Sequence, residues 1–229
     1  MSIKEIKKIL VVVAHPDDET IGMGGVIRRH IQNGDQVSII SMTDGVGSRN
    51  KVETRDVLMR KEAANQAAKI LGFSWLKQHE FEDNCLDKYS LLEVVKCIEF
   101  AKKQICPDIV YTHSGSDLNI DHRIVGSAVL TAFRPVPDEA CSEIRVFEIA
   151  SATDYGHNSF TGEFNPNLFV NIEDTWQSKE DALKAYSLEM REYPHSRSFE
   201  GIKTLAKIRG CQVGLRMAEA FQVLRKIDR

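Results

Sequence analysis

The run Ile9-Leu10-Val11-Val12-Val13-Ala14 passes without a break into His15-Pro16-Asp17-Asp18-Glu19. A strand with one wet face alternates apolar and polar residues, so a continuous, largely β-branched run fits a strand covered on both sides. The run is far too short for a signal h-region or a membrane span, and no later stretch reaches the roughly 20 apolar residues that a span requires. A buried strand ending abruptly in charge constrains the fold more than any other feature of the chain.

The rest of the pattern alternates. A helix is expected from about Gly25 to Gln32, closed by Asn33-Gly34, and a second strand over Gln36–Met42. Asp44–Lys51 reads as a long polar loop. Thr54–Leu71 has helical periodicity and ends at Gly72. A strand is expected over Trp75–Phe81, a helix over Leu91–Gln104 stopped before Pro107, and a short buried strand over Ile109–Thr112. Then come a helix over Asp121–Phe133, strands over Val146–Ala150 and Leu168–Ile172, and helices over Trp176–Arg191 and Ile202–Cys211. No internal repeat is visible. Strands alternating with helices predict an α/β fold: one Rossmann-like domain over residues 1–229, its largely parallel sheet covered by helices on both faces. In such sheets ligands bind beyond the carboxyl ends of the strands.

Bulk properties narrow the class. With 229 residues and 42% apolar composition the chain can bury a large core without disulfide staples. A net charge of -3 gives no reason to expect nucleic acid or an anionic membrane as partner. The five cysteines (Cys85, Cys97, Cys106, Cys141, Cys211) are odd in number, widely spaced and free of any CxxC. That argues against a disulfide framework or a cysteine zinc cluster; most are expected to be small buried hydrophobes, in a cytoplasmic protein.

The polar residues after the strands carry the chemistry. His15, Asp17, Asp18 and Glu19 crowd charge into one turn, and Pro16 stiffens it. Gly22, Gly24 and Gly25 permit a tight turn and close approach of the next helix. A polar turn with an aspartate as helix cap is the plain alternative, but packed like charges repel unless a cation compensates. A second cluster, His113-Ser114-Gly115-Ser116-Asp117-Leu118-Asn119-Ile120-Asp121-His122, follows the strand Ile109–Thr112. If that strand lies beside the first, both clusters face one crevice. Imidazole and carboxylate together suit zinc, with three protein ligands and an open position for water. Taken alone, His122 also fits an ordinary capping residue. His113 is read as support for the loop. Asp121 is open to two roles, a helix cap or a carboxylate holding a ligand imidazole. Glu19 is expected to buttress the loop.

The AHPDDE element after the first strand, with Asp121-His122 after a later one, resembles the PIG-L/LmbE family of zinc-dependent N-deacetylases. The resemblance runs from about Ile9 to Phe221 and includes Arg60, Glu62, Asp83, Trp176 to Tyr186, the segment Tyr193 to Ser198, and Ala218 to Phe221. It implies that His15, Asp18 and His122 bind Zn2+ and that Asp17 is the general base; spacing alone does not say which aspartate plays which part. Well-studied members often carry histidine three residues before the last ligand, where this chain has Asn119. An amide can donate a hydrogen bond to an oxyanion but cannot supply a proton, which leaves Asp121 or His195 as a second acid. Arg60 and Arg197 are candidates for binding the sugar or an attached phosphate, Asp83 for hydrogen-bonding sugar hydroxyls, and His195 for substrate binding. Surface salt bridging is the alternative for the two arginines.

The implied activity is hydrolytic removal of an N-acetyl group from a small amino sugar, free, glycoside-linked or nucleotide-linked. An amidase of a thiol-sugar conjugate and a non-catalytic metal-binding module are the competing readings. A nucleotide-binding dehydrogenase is disfavoured, because the first turn reads HPDDETIGMGG and not G-x-G-x-x-G. No heptad pattern decides whether the chain forms a homo-oligomer.

Overall fold

The computed structural model describes residues 6–48 and 53–228. The end of the expected loop Asp44–Lys51, from residue 49 on, lies outside the described residues. Seven strands are β1 (Lys8–Val13), β2 (Gln36–Thr43), β3 (Ser74–Phe81), β4 (Ile109–His113), β5 (Glu143–Phe147), β6 (Leu168–Asn171) and β7 (Ala218–Lys226). The helices are α1 (Asp18–Gln32), α2 (Thr54–Leu71), α3 (Leu91–Ile105), α4 (Ile120–Ala132), the short α5 (Asn158–Thr161), α6 (Trp176–Ala185) and α7 (Phe199–Cys211). One sheet results, in the order β3-β2-β1-β4-β5-β7-β6. Its first five strands pair in parallel, and β7 runs antiparallel between β5 and β6.

The continuous apolar run of β1 is explained by its position. Ile9, Val11 and Val13 point into a core shared with α1, α2 and α6, whereas Leu10, Val12 and Ala14 point into a second core under α3 and α4. Alternate residues thus enter opposite cores, and neither face can be polar. Because β1 pairs with β2 on one side and β4 on the other, chain direction across the sheet reverses there. The crevice at that switch point is where an open α/β sheet places its ligand.

Several expectations need correction. α1 begins at Asp18 and not near Gly25; it is broken at Met23 (φ -149°, ψ 24°), so the sequence periodicity reveals only its second half. The glycines therefore lie inside the helix, where they permit close packing. A Cβ at Gly22 would meet Phe147 at 2.6 Å, and one at Gly25 would meet Ile172 at 2.8 Å. β5 ends at Phe147 and not at Ala150, since the chain turns away where Ile149 N–H donates to Thr153 Oγ1 at 2.8 Å. α6 stops at Ala185, short of the expected Arg191, and β7 was not expected at all. The cysteines are free, but only Cys141 is buried, and Cys106 and Cys211 are exposed. No helix among the described residues is long and apolar enough to cross a membrane.

Candidate metal centre

Adjacency of β1 and β4 brings the two polar clusters together. His15 Nδ1 lies 3.1 Å from Asp18 Oδ2 and 3.2 Å from His122 Nε2, and His122 Nε2 lies 3.4 Å from Asp18 Oδ2. These three atoms form a nearly equilateral triangle. Bonds of about 2.0–2.1 Å to a tetrahedral zinc put its ligand atoms roughly 3.3 Å apart, so the triangle has the size of one tetrahedral face.

The far side of each imidazole is held by carboxylate. His15 Nε2 sits 3.1 Å from Asp83 Oδ1 and 3.3 Å from Asp121 Oδ2. His122 Nδ1 sits 2.9 Å from Asp117 Oδ2. Carboxylates draw the ring protons to those outer nitrogens and leave the inner lone pairs facing one another and Asp18. Two imidazole nitrogens and a carboxylate oxygen converging at one buried point need protons or a metal ion between them, and the donor set fits zinc in number, type and spacing. Burial opposes charge on His122, yet Asp18 and Asp117 raise its pKa to about 9. Burial also opposes charge on Asp18, but His122 and His15 hold its carboxyl well below the usual range.

The structure divides the histidines and acids cleanly. His113 accepts the Ala14 N–H on Nε2 at 2.8 Å and stacks on His122 with ring centroids 4.0 Å apart. Its lone pair is spent on the loop, as expected of a supporting residue. Asp121 accepts from Asn84 N–H at 2.8 Å and Leu86 N–H at 2.9 Å while facing His15. The cap of α4 is instead Asn119, whose Oδ1 accepts from Asp121 N–H at 2.8 Å. Asn119 Nδ2 donates to Asn84 Oδ1 at 2.9 Å, which leaves one amide hydrogen on the cavity-lining side chain. Burial alone would raise the pKa of Asp83, but its contacts with His15 and Ser48 hold it at about 2.

Asp17 has φ 150°, a conformation that an L side chain rarely adopts. Such strain persists only where neighbours over-determine it. Its N–H donates to Glu19 Oε2 at 3.0 Å, and Arg60 Nη1 lies 3.1 Å from its Oδ2. Glu19 is fully buried and also accepts from Thr20 Oγ1 at 2.7 Å and Tyr186 OH at 2.9 Å, so it buttresses the loop. Burial raises the pKa of Asp17, and the Arg60 guanidinium opposes the rise.

A cavity of about 270 Å³ opens over this cluster, lined among others by His15, Asp17, Asp83, Asn119, His122 and Arg197. Arg60 reaches the cavity, but its guanidinium is committed to protein oxygens: Asp17, the carbonyls of Pro16 and Gly45, and Glu189 Oε1 at 2.7 Å. A fork so occupied has little left for a sugar. His195 stands outside the cavity lining, where its Nδ1 accepts the Arg197 N–H at 3.1 Å and fixes the turn that carries Arg197.

A family model described as GlcNAc-PI de-N-acetylase, PIG-L, matches residues 10–133. The chain belongs to the PIG-L family. The matched span runs from β1 through α4 and so contains all three atoms of the triangle. Diacetylchitobiose deacetylase of Thermococcus kodakarensis is 27% identical over 229 residues, covering 95% of this chain and 83% of its own. A protein of Bacillus cereus named probable N-acetyl-alpha-D-glucosaminyl L-malate deacetylase 2 is 27% identical over 187 residues, covering 79% and 82%. Among solved structures, N,N'-diacetylchitobiose deacetylase of Pyrococcus horikoshii superposes with TM-score 0.74 at 24% identity, covering 96% of this chain and 85% of that one. GalB, the 4-carboxy-2-hydroxymuconate hydratase of Pseudomonas putida, superposes with TM-score 0.78 at 20% identity, covering 98% of each. The PIG-L fold therefore carries more than one chemistry, and the site must decide between them.

Sequence reasoning assigned no role to Asp117, Glu189 or Arg191. Asp117 stands in the polar run between β4 and α4, and its pairing with His122 needs the turn of α4 to exist. Glu189 and Arg191 follow α6 with no motif to mark them.

Proposed function

We propose that this PIG-L protein is a zinc-dependent N-deacetylase of a small N-acetylated amino sugar. The observation that carries the reading is the triangle of His15 Nδ1, Asp18 Oδ2 and His122 Nε2, with the strained, buried carboxylate of Asp17 in the same cavity. The relatives' activities on N-acetylated sugars support it.

His15, Asp18 and His122 would hold the ion. When bound, zinc would supply Lewis acidity that lowers the pKa of water and polarises an amide carbonyl. Asp17 accepts a proton from the attacking water and, once protonated, returns it to the departing amine. Arg60 is a positioning residue: paired with Asp17 and Glu189, it fixes the base against rotation. Asp83 and Asp121 keep the His15 ring oriented, and Asp83 remains ionised toward the cavity, where it can accept from sugar hydroxyls. Asn119 can donate its remaining amide hydrogen to the developing oxyanion. Arg197 meets the sugar or a group attached to it. The five free thiols support a reducing, cytoplasmic setting.

Acetate release from N-acetylglucosamine glycosides by zinc-loaded protein tests the reading. Asp17→Asn should retain the metal and lose roughly 100- to 10,000-fold in kcat. Undiminished turnover in that variant removes Asp17 as the base, and acetate release from no N-acetylated sugar contradicts the function itself.

A further inference from the structure

The deacetylase reading gives Asn119 one amide hydrogen for the oxyanion. A terminal amide that swings freely would seldom present it, so the orientation of Asn119 needs a cause. Asn119 precedes α4, Asn84 follows β3, and both side chains line the cavity. Asn84 has φ 52°, in the left-handed region that asparagine tolerates better than most residues. In that turn its N–H meets Asp121 Oδ2 at 2.8 Å, a bond that belongs to the backbone and not to the side chain.

The Asn84 side chain is held from elsewhere. Its Nδ2 donates to Ser48 Oγ at 3.1 Å and lies 3.4 Å from Asp83 Oδ1. Ser48 Oγ donates in turn to Asp83 Oδ2 at 2.7 Å. With its nitrogen facing these oxygens, the Asn84 amide turns its own oxygen toward Asn119 Nδ2, at 2.9 Å. Asn119 is thus gripped twice. Its Oδ1 accepts the Asp121 N–H at 2.8 Å, and its Nδ2 is fixed by Asn84. The cap bond alone is one point of attachment, about which the amide plane can swing; the bond to Asn84 is the second. A flip of either amide would set donor against donor and oxygen against oxygen.

We propose that Asn84 is the positioning residue that aims the free amide hydrogen of Asn119 into the cavity. The proposal rests on the deacetylase reading, which supplies the oxyanion as the target. Asn84 gives nothing to the reacting atoms. Its contribution is a donor already in place when charge develops, so that no reorganisation is needed at that moment. Neither the motif after β1 nor the Asp121-His122 pair includes Asn84, and residue type alone does not mark it.

Asn84→Gly suits the test, because glycine keeps the left-handed backbone, and with it the N–H bond to Asp121, and removes only the side chain. Wild type, Asn84→Gly, Asn119→Ala and the double variant are matched in zinc content. Each is assayed on N-acetylglucosamine glycosides and titrated calorimetrically with the N-methylphosphonyl analogue of glucosamine, whose tetrahedral phosphorus carries an oxyanion in advance. Asn119→Ala should lose roughly 100-fold in kcat. Asn84→Gly should lose roughly tenfold in kcat with KM nearly unchanged, and bind the analogue about tenfold more weakly. In the Asn119→Ala background the same substitution should cost less than about twofold in either readout. An undiminished kcat in Asn84→Gly, a change confined to KM, or a loss of equal size in both backgrounds overturns the proposal. If no glycoside is turned over, the deacetylase reading fails and the analogue still decides Asn84. A loss of binding that disappears when Asn119 is alanine upholds the aiming of one amide by the other, and additive losses or absent binding overturn it.

Discussion

Two buried clusters of charge lie at opposite ends of the first half of α1, and they differ in how completely they are satisfied. At the break near Met23, Lys179 Nζ donates to the Ile21 carbonyl at 2.8 Å and to Glu219 Oε1 at 2.6 Å. Glu219 accepts the N–H groups of Gly25 at 3.0 Å and Val26 at 2.7 Å. Opposite charges thus cancel, and the Ile21 carbonyl and the Gly25 and Val26 N–H groups at the break find partners. At the start of the same helix, His15, Asp18 and His122 turn electron-rich atoms toward one another, with their outer carboxylates preventing the rings from turning away. The first arrangement is closed and structural. The second leaves its converging atoms to be bridged by protons or by a metal ion, as expected of a candidate metal centre. Unmet need, more than burial or charge, distinguishes a site from a strut.

The largest effect expected on the structural side is that of Lys179→Met, which strands the Glu219 charge and the Ile21 carbonyl. It should cost about 3–5 kcal/mol in chemical denaturation, and Lys179→Met with Glu219→Gln should recover part of the loss. A cost under about 1 kcal/mol would erase the distinction drawn between the two clusters. Next comes Glu19, which burial lifts to about 7 from the ordinary 4.5. Folding favours its protonated form, so its contribution is complete below pH 4.5 and gone once pH passes about 7. Relative to Glu19→Gln, wild type should therefore lose about 3 kcal/mol of stability across that window. Parallel pH profiles would mean that Glu19 does not titrate there. Smallest is Asp117→Asn, which loosens the His122 ring without removing a ligand. Zinc affinity measured by competition with a chelator should fall roughly 10- to 100-fold. Unchanged affinity would demote Asp117 to a loop residue.

The sequence made the centre of the sheet legible because β1 and β4 are buried on both faces, and their composition says so. The candidate ligand set was legible because its members follow those strands closely, where an open sheet binds its ligands. What escaped depends on contacts between distant segments. The first half of α1 is hidden by its break at Met23, which Lys179 and Glu219 make tolerable through hydrogen bonds to Ile21 and Gly25 that span 158 and 194 residues. β7 is buried along its first four residues and alternates only beyond them, so no period announces it. Arg60 offered a charge that suited a sugar, and only the fold reveals that Asp17 and Glu189 already hold it. His195 shares its segment with Arg197 yet points out of the cavity lining, a difference that residue type cannot disclose.

The central claim is that two clusters about a hundred residues apart in the chain form one metal centre. Zinc content by elemental mass spectrometry, on wild type and His122→Ala purified side by side and matched in circular dichroism, tests it most directly. Stoichiometric zinc in wild type and a large loss in the variant is the predicted result. Equal zinc in both, or none in either after zinc is supplied, would contradict it.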